Sequence, residues 1–259
     1  MKVAFWNGIS SSDSVAHYVA AIGMMLAVEY NCNVVLSSNY ISNRMIQDCF
    51  FRRLLEEGIA HTPYCFLYGS LEYYGALWRM KRNRHDNILE VPIKGVTIIF
   101  PPDMEENCMF YYKSFKKDFY LLDMAKGSIA ESKNVLDEAE LVVVFLSQGK
   151  TEIQNFFERF SSLVPKALFV IVDEQRDTGF TYRKLKTEYG IKRNKIGIIP
   201  YNDAFEKACE GGNLELYISN NMYQTIDAQN SNFILSLKKL SKKIYMLGMN
   251  INAEEQEDE

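Results

Sequence analysis

Eight residues between an apolar run and a helical pattern carry the first candidate chemistry: Asn7-Gly8-Ile9-Ser10-Ser11-Ser12-Asp13-Ser14. A small-residue, hydroxyl-rich loop at such a junction points backbone N–H groups and the positive end of a helix at one spot, which suits an anion such as phosphate. Gly8, Ser10, Ser11, Ser12, Asp13 and Ser14 are therefore a candidate phosphate loop. Ser12, Asp13 and Ser14 also have the plainer use of capping the helix that follows. Asp123 closes the run Asp118-Phe119-Tyr120-Leu121-Leu122-Asp123 and opens the loop that follows it. Lys126 follows in the next loop, and Ser147 and Lys150 follow the next apolar run. All of these residues do chemistry together only if one fold brings their loops to one place.

The pattern of elements meets that condition. Apolar runs at Lys2–Trp6, Asn33–Ser37, Val96–Phe100, Phe119–Asp123, Leu141–Ser147, Ala167–Asp173 and Ile196–Pro200 alternate with helical patterns. Runs such as Leu141-Val142-Val143-Val144-Phe145-Leu146 are apolar at consecutive positions, so both faces of the strand are buried. This predicts an α/β fold with an open, mostly parallel sheet and helices on both faces, a three-layer arrangement. Helices are expected at Ser14–Tyr30, with Val15, Val19, Ile22 and Leu26 on one face, and at Arg44–Glu57, Ile129–Glu138, Lys150–Ser162, Thr181–Tyr189, Asp203–Glu210 and Asn232–Leu247. The last carries Phe233, Leu237, Leu240, Ile244 and Leu247 as a core-facing stripe. In such a sheet, ligands sit outside the carboxyl ends of the central strands. The loops Asn7–Ser14, Asp123–Ser128 and Ser147–Lys150 leave those ends.

Residues 1–250 read as one domain, with 58–103 an insertion or irregular cap where aromatic residues and prolines replace periodicity. Residues 251–259 read as a solvated, disordered tail, with five acids in the seven residues Ala253 to Glu259.

The chain of 259 residues is 47% hydrophobic and 24% charged, and 29 Lys+Arg against 33 Asp+Glu leave a formal charge of −4. No global positive field draws in nucleic acid. No apolar run reaches the roughly 18–20 residues of a membrane span, and the first residues lack the apolar stretch of a signal peptide. Cys32, Cys49, Cys65, Cys108 and Cys209 are scattered, with no Cys-x-x-Cys spacing. They read as reduced thiols of a cytoplasmic protein, and no metal site is expected. A serine hydrolase is excluded for want of a Gly-x-Ser-x-Gly elbow, and His17, His61 and His85 are read as structural or surface residues. A phospho-acceptor receiver would use Asp123 with Ser147, 24 residues on, but the acids it needs for Mg²⁺ are lacking. The basic cluster Arg79, Lys81, Arg82, Arg84 and His85 reads as a solvated helix end or a protein contact. It is too short to neutralise many phosphates, so DNA is disfavoured.

In the order of its segments the chain resembles the ParA/MinD group of deviant-Walker P-loop ATPases, in particular the TadZ/CpaE-like branch. The matching pieces are the N-terminal strand, loop and helix with Ala20-Ala21-Ile22-Gly23-Met24-Met25-Leu26-Ala27. They continue with the run ending in Asp123 as a Walker B-like aspartate, and with Leu136-Asp137-Glu138-Ala139-Glu140 before a buried strand. Ile198-Ile199-Pro200-Tyr201-Asn202 and Ala208-Cys209-Glu210-Gly211-Gly212 match late in the chain. The resemblance implies a P-loop NTPase-like fold, Mg·ATP, a face-to-face homodimer latched by nucleotide, and protein partners in a Tad-type pilus or secretion apparatus. It also implies recruitment to a cell pole or the inner membrane face through those partners.

The departure from that pattern is as informative. No lysine occurs between Lys2 and Lys81, so the loop lacks both the lysine that neutralises the phosphates and the second lysine that reaches across the dimer. Asp13, Ser14 or Ala16 falls where a Mg²⁺ hydroxyl belongs, and Ser37-Ser38-Asn39 replaces the water-positioning aspartate. No bound cofactor and no meaningful turnover are expected. The opposing reading is an ATPase using Asp123 with Lys126 or Lys150 as an unconventional cation. The face made by Lys126, Ser147 and Lys150 is the expected interface.

Overall fold

The computed structural model describes residues 1–7, 15–38, 45–46, 48–50, 88–90, 95–99, 117–124, 129–146, 148–172, 181–222 and 228–257. Eight strands form one sheet: β1 (Lys2–Trp6), β2 (Val34–Ser38), β3 (Ile88–Glu90), β4 (Val96–Ile99), β5 (Phe119–Met124), β6 (Leu141–Leu146), β7 (Ala167–Val172) and β8 (Ile196–Ile199). Their order is β3-β4-β2-β5-β1-β6-β7-β8. Every pairing is parallel except that of the edge strand β3 with β4. The helices are α1 (Val15–Tyr30), α2 (Ile129–Glu138), α3 (Lys150–Arg159), α4 (Tyr182–Tyr189), α5 (Asp203–Glu210), α6 (Leu214–Met222) and α7 (Ala228–Glu257). The chain fills the β2 side of β1 first and then crosses to β6, so strand order reverses at β1. That reversal opens a crevice beyond the carboxyl end of β1.

Two cores, one on each face, account for the continuous apolar runs. Leu141, Val143 and Phe145 of β6 join Val3 and Phe5 of β1 in the core under α1, α5, α6 and α7. Val142, Val144 and Leu146 join Ala4 and Trp6 in the core with Phe156 of α3 and Leu185 of α4. Alternate side chains point to opposite faces of a strand, so a strand between two helical layers has no polar face to show.

Helix α1 departs from the one-faced helix that its spacing predicts: all residues from Val15 to Ala27 are buried. Helix α7 covers its outer side, with Lys238 Nζ 2.7 Å from Glu29 Oε1 and the Tyr30 and Tyr245 rings stacked at 4.3 Å. A helix apolar all round belongs in an interior. On α7 the expected stripe is in place, Phe233, Leu237, Leu240 and Ile244 being fully buried and Leu247 partly so.

The elements differ from expectation in two places. Helix α7 continues to Glu257, ten residues past the expected end at Leu247. Ala, Glu and Gln are strong helix formers, and that propensity extends the helix despite the acidic composition of the segment. Helix α6 and strand β3 were not expected at all; β3 is three residues long and α6 mixes Ser and Asn into its turns. Strand β4 lies where the run Val96–Phe100 predicts one, and β3 pairs with it at the edge of the main sheet. The rest of 58–103, including Arg79, Lys81, Arg82 and Arg84, lies outside the described residues, as does most of the helix expected at Arg44–Glu57. Among the described residues no helix is long and apolar enough to cross a membrane, and no group of three or more His, Cys, Asp or Glu could hold a metal ion. Cys32, Cys49 and Cys209 are free and buried.

Candidate functional site

The parallel sheet delivers the ends of β1, β2, β5 and β6 to one edge. Asp123 lies in register with Phe5 of β1 and Ser38 of β2. It is 2% exposed, a carboxylate in the interior end of the sheet. Phe119 and Leu121 of the same strand belong to the core under α1, so by alternation Asp123 points to the α1 side. That is the side on which a helix N-terminus would present a bound anion. Ser37 and Ser38, 1% and 4% exposed, bury hydroxyls in the neighbouring strand end.

On the other flank, β6 leads to α3, whose N-cap residue Gly149 is extended (φ −71°, ψ 115°) and offers no side-chain cap. Lys150, the first residue of α3, is exposed. Thus Asp123 and Lys150 both belong to loops or strand ends at the carboxyl edge of the sheet. Gly8, Ser10, Ser11, Ser12, Asp13, Ser14, Lys126 and Ser147 lie outside the described residues.

The first turn of α1 follows the candidate loop directly and packs into the core. Val15 and Ala16 are buried at 5% and 1% exposure. His17 Nδ1 stands 2.6 Å from Glu206 Oε2 on α5, and its ring meets Phe205 edge-on at 6.4 Å. Tyr18 stacks on Phe145 at 5.4 Å and packs against Phe205 at 5.5 Å. An aromatic cluster therefore lies beneath the turn, with one imidazole–carboxylate pair set in its margin.

Helix α5 is held in turn by its own cap. The Asn202 side chain accepts from Phe205 N at 2.8 Å and donates to Asn230 Oδ1 at 2.8 Å, an oxygen that also accepts from Tyr217 Oη at 3.3 Å. The His17–Glu206 pair was not visible as a pair in the sequence, because 189 positions separate its members and neither falls in a motif. The place of Ser38 beside Asp123 follows from strand register, and the serines replacing the family aspartate were its only signal.

Compared by sequence, the chain matches no protein-family profile and no curated protein. Compared by structure, it superposes on solved chains along nearly its whole length. A structure of the MinC:MinD cell division protein complex of Aquifex aeolicus matches with a TM-score of 0.59 and 14% identity, covering 93% of this chain and 95% of that one. A putative plasmid partition protein of Borrelia burgdorferi B31 bound to AMPPNP gives 0.60 and 14%, covering 93% and 98%. The septum site-determining protein MinD of Pyrococcus horikoshii OT3, complexed with Mg-ADP, gives 0.60 and 12%, covering 95% and 98%. At such identities the likeness speaks for architecture, and with the parallel sheet, its strand order and its two helical layers it shows that this chain has the P-loop NTPase-like fold of the MinD and ParA ATPases.

Proposed function

We propose that this chain is a binding and assembly protein on a MinD/ParA-type fold, working by contact and not by nucleotide turnover. The observation that carries the reading is the absence of any lysine from position 3 to position 80, a span that includes β1 from Val3 onward, the loop after it and all of α1. Phosphoryl transfer rests almost wholly on positioning and on cations that meet the developing charge, and losing such a group costs on the order of 10²–10⁵ in rate. The first turn of α1 gives the same message, since it supplies Val15 and Ala16 and commits His17 to Glu206. The residues present do not fit Mg·ATP as a catalytic ligand, and no bound cofactor is expected.

In this reading the face made by Asn7–Ser14, Asp123–Ser128 and Ser147–Lys150 is a protein interface, and a homodimer formed there does not depend on ATP. The order of segments resembling the TadZ/CpaE-like branch supports a role as a localisation scaffold for a Tad-type pilus or secretion apparatus. Its partners are proteins of that apparatus, and any membrane or polar location is reached through them. DNA is not a partner in this reading.

Sedimentation velocity with and without Mg·ATP tests it. The same species in both conditions is expected, and a nucleotide-driven change from monomer to dimer would overturn the proposal. Co-purification from the native host should bring down pilus or secretion components. The second reading, an ATPase with an unconventional cation, is favoured by the buried Asp123 at the end of β5. It requires that Asp123→Asn abolish a measurable turnover.

A further inference from the structure

The amino ends of the strands, opposite the candidate site, gather a positive charge that meets no carboxylate in ion-pair contact among the described residues. Residues 183–195 contain six cations and one acid, Glu188, in a chain whose net charge is −4. Folding adds α7 to this segment. Lys243 Nζ donates to the Ile196 carbonyl at 2.5 Å, and Arg193 Nη1 donates to that same oxygen at 3.1 Å. Lys243 also reaches the Arg193 carbonyl at 3.5 Å. Burial first, and then the charge of Arg193, lowers the pKa of Lys243. Lys195 donates to the Pro165 carbonyl, and Lys192, Lys239 and Lys242 are exposed around the group. Among the described residues none of Lys192, Arg193, Lys195, Lys239, Lys242 and Lys243 has a carboxylate in ion-pair contact. Crowding like charges costs folding free energy, and an anionic partner offsets that cost.

An anion of matching size is present in the chain itself: Glu254, Glu255, Glu257, Asp258 and Glu259. Along α7 it is set apart from the basic group of its own molecule. Helix α7 is continuous to Glu257, so Glu254 stands about 16 Å along the axis from Lys243, at 1.5 Å per residue. The helix is also leaving the β8 edge: Leu240 lies over Gly197 of β8, whereas Gly248 lies over Met1 and Phe119 of β5. Opposite charges held at two ends of one body meet only between copies.

We propose that the basic surface formed by Lys192, Arg193, Lys195, Lys239, Lys242 and Lys243 receives the acidic segment 253–259 of a second copy of this chain. A nucleic acid is the less suitable occupant. Arg193 already lies over the ring of Tyr182 at 4.8 Å, and the net negative charge opposes a long polyanion. The self-contact is independent of the nucleotide question and goes beyond the scaffold reading. It uses the end of the sheet opposite the candidate site.

The test is sedimentation velocity of the full chain without nucleotide, at about 0.1 M and about 1 M salt, between which the Debye length falls from ~10 Å to ~3 Å. Self-association at the lower salt, weakened on the order of tenfold or more at the higher, is expected. Two charge-reversed proteins, Lys192→Glu/Lys195→Glu and Glu254→Lys/Glu255→Lys, should each lose this salt-sensitive association at low salt with unchanged circular dichroism. Mixed together, they should associate again, because the reversed surface of one now suits the reversed segment of the other. A parent chain with no salt-sensitive association would overturn the proposal, as would salt-sensitive association that survives the Glu254→Lys/Glu255→Lys change. Retention of duplex DNA at low salt, lost in Lys192→Glu/Lys195→Glu and accompanied by no self-association, would replace the second copy with a nucleic acid.

Discussion

His17 Nδ1 and Glu206 Oε2 stand 2.6 Å apart and join the first turn of α1 to α5 across 189 residues of sequence. The imidazole is 7% exposed, so removing its partner leaves a buried polar group unsatisfied. Glu206→Ala should cost about 1–3 kcal/mol, read as a lower urea midpoint at unchanged slope. In a double-mutant cycle with His17→Ala, a coupling of about 0.5–3 kcal/mol is expected. Coupling near zero would mean that the two residues are neighbours only and that α1 is held by its apolar contacts alone.

Gly248 marks where α7 comes closest to the sheet. A methyl group there would sit 2.7 Å from Met1 Sδ and 2.8 and 2.9 Å from two carbons of the Phe119 ring. Helix propensity by itself favours Gly248→Ala by about 1 kcal/mol. Crowding against a ring that is 3% exposed should outweigh this and give a net loss of about 1–2 kcal/mol. Thermal unfolding checks the sign: a raised melting temperature would show that α7 lies farther from β5.

Cys32 is a buried thiol whose pKa is pushed up to about 11, first by burial and then by the negative charge of Asp118. It should not react with a thiol reagent at pH 8 in the native protein and should react once the chain is unfolded. The folded pKa lies above the ordinary value of 9.0, so the folded state holds this proton more tightly. Its contribution to stability is then complete below about pH 9 and is lost as pH rises towards about 11. Rapid native labelling at Cys32, mapped by mass spectrometry, would contradict the packing of the turn between α1 and β2.

The parallel sheet was legible because its strands lie between two helical layers. Leu141 to Leu146 cannot alternate when both faces are buried, and Ala167 to Val172 carry the same mark. Element edges were legible where a breaker stands beside them, as at Gly211 after α5. β3 was not, since three residues carry no period, and the full burial of α1 was not, because α7 arrives from 200 residues downstream. The sequence also singled out Arg79 to His85 as its basic cluster. The larger group around Ile196 went unread because α7 contributes Lys239, Lys242 and Lys243 from 50 residues away. At the candidate site, Asp123 was found by its place at the end of an apolar run. The brace between His17 and Glu206 depends on how α1 meets α5, which no local pattern encodes.

Phosphate release from ATP by the purified chain, measured beside Asp123→Asn with Mg²⁺ present, goes to the centre of the account. Both proteins should release phosphate at the rate of buffer alone. Turnover well above that background in the parent chain, abolished by Asp123→Asn, would show that a cation other than the missing lysines serves a working nucleotide site, and the contact-only reading would fall.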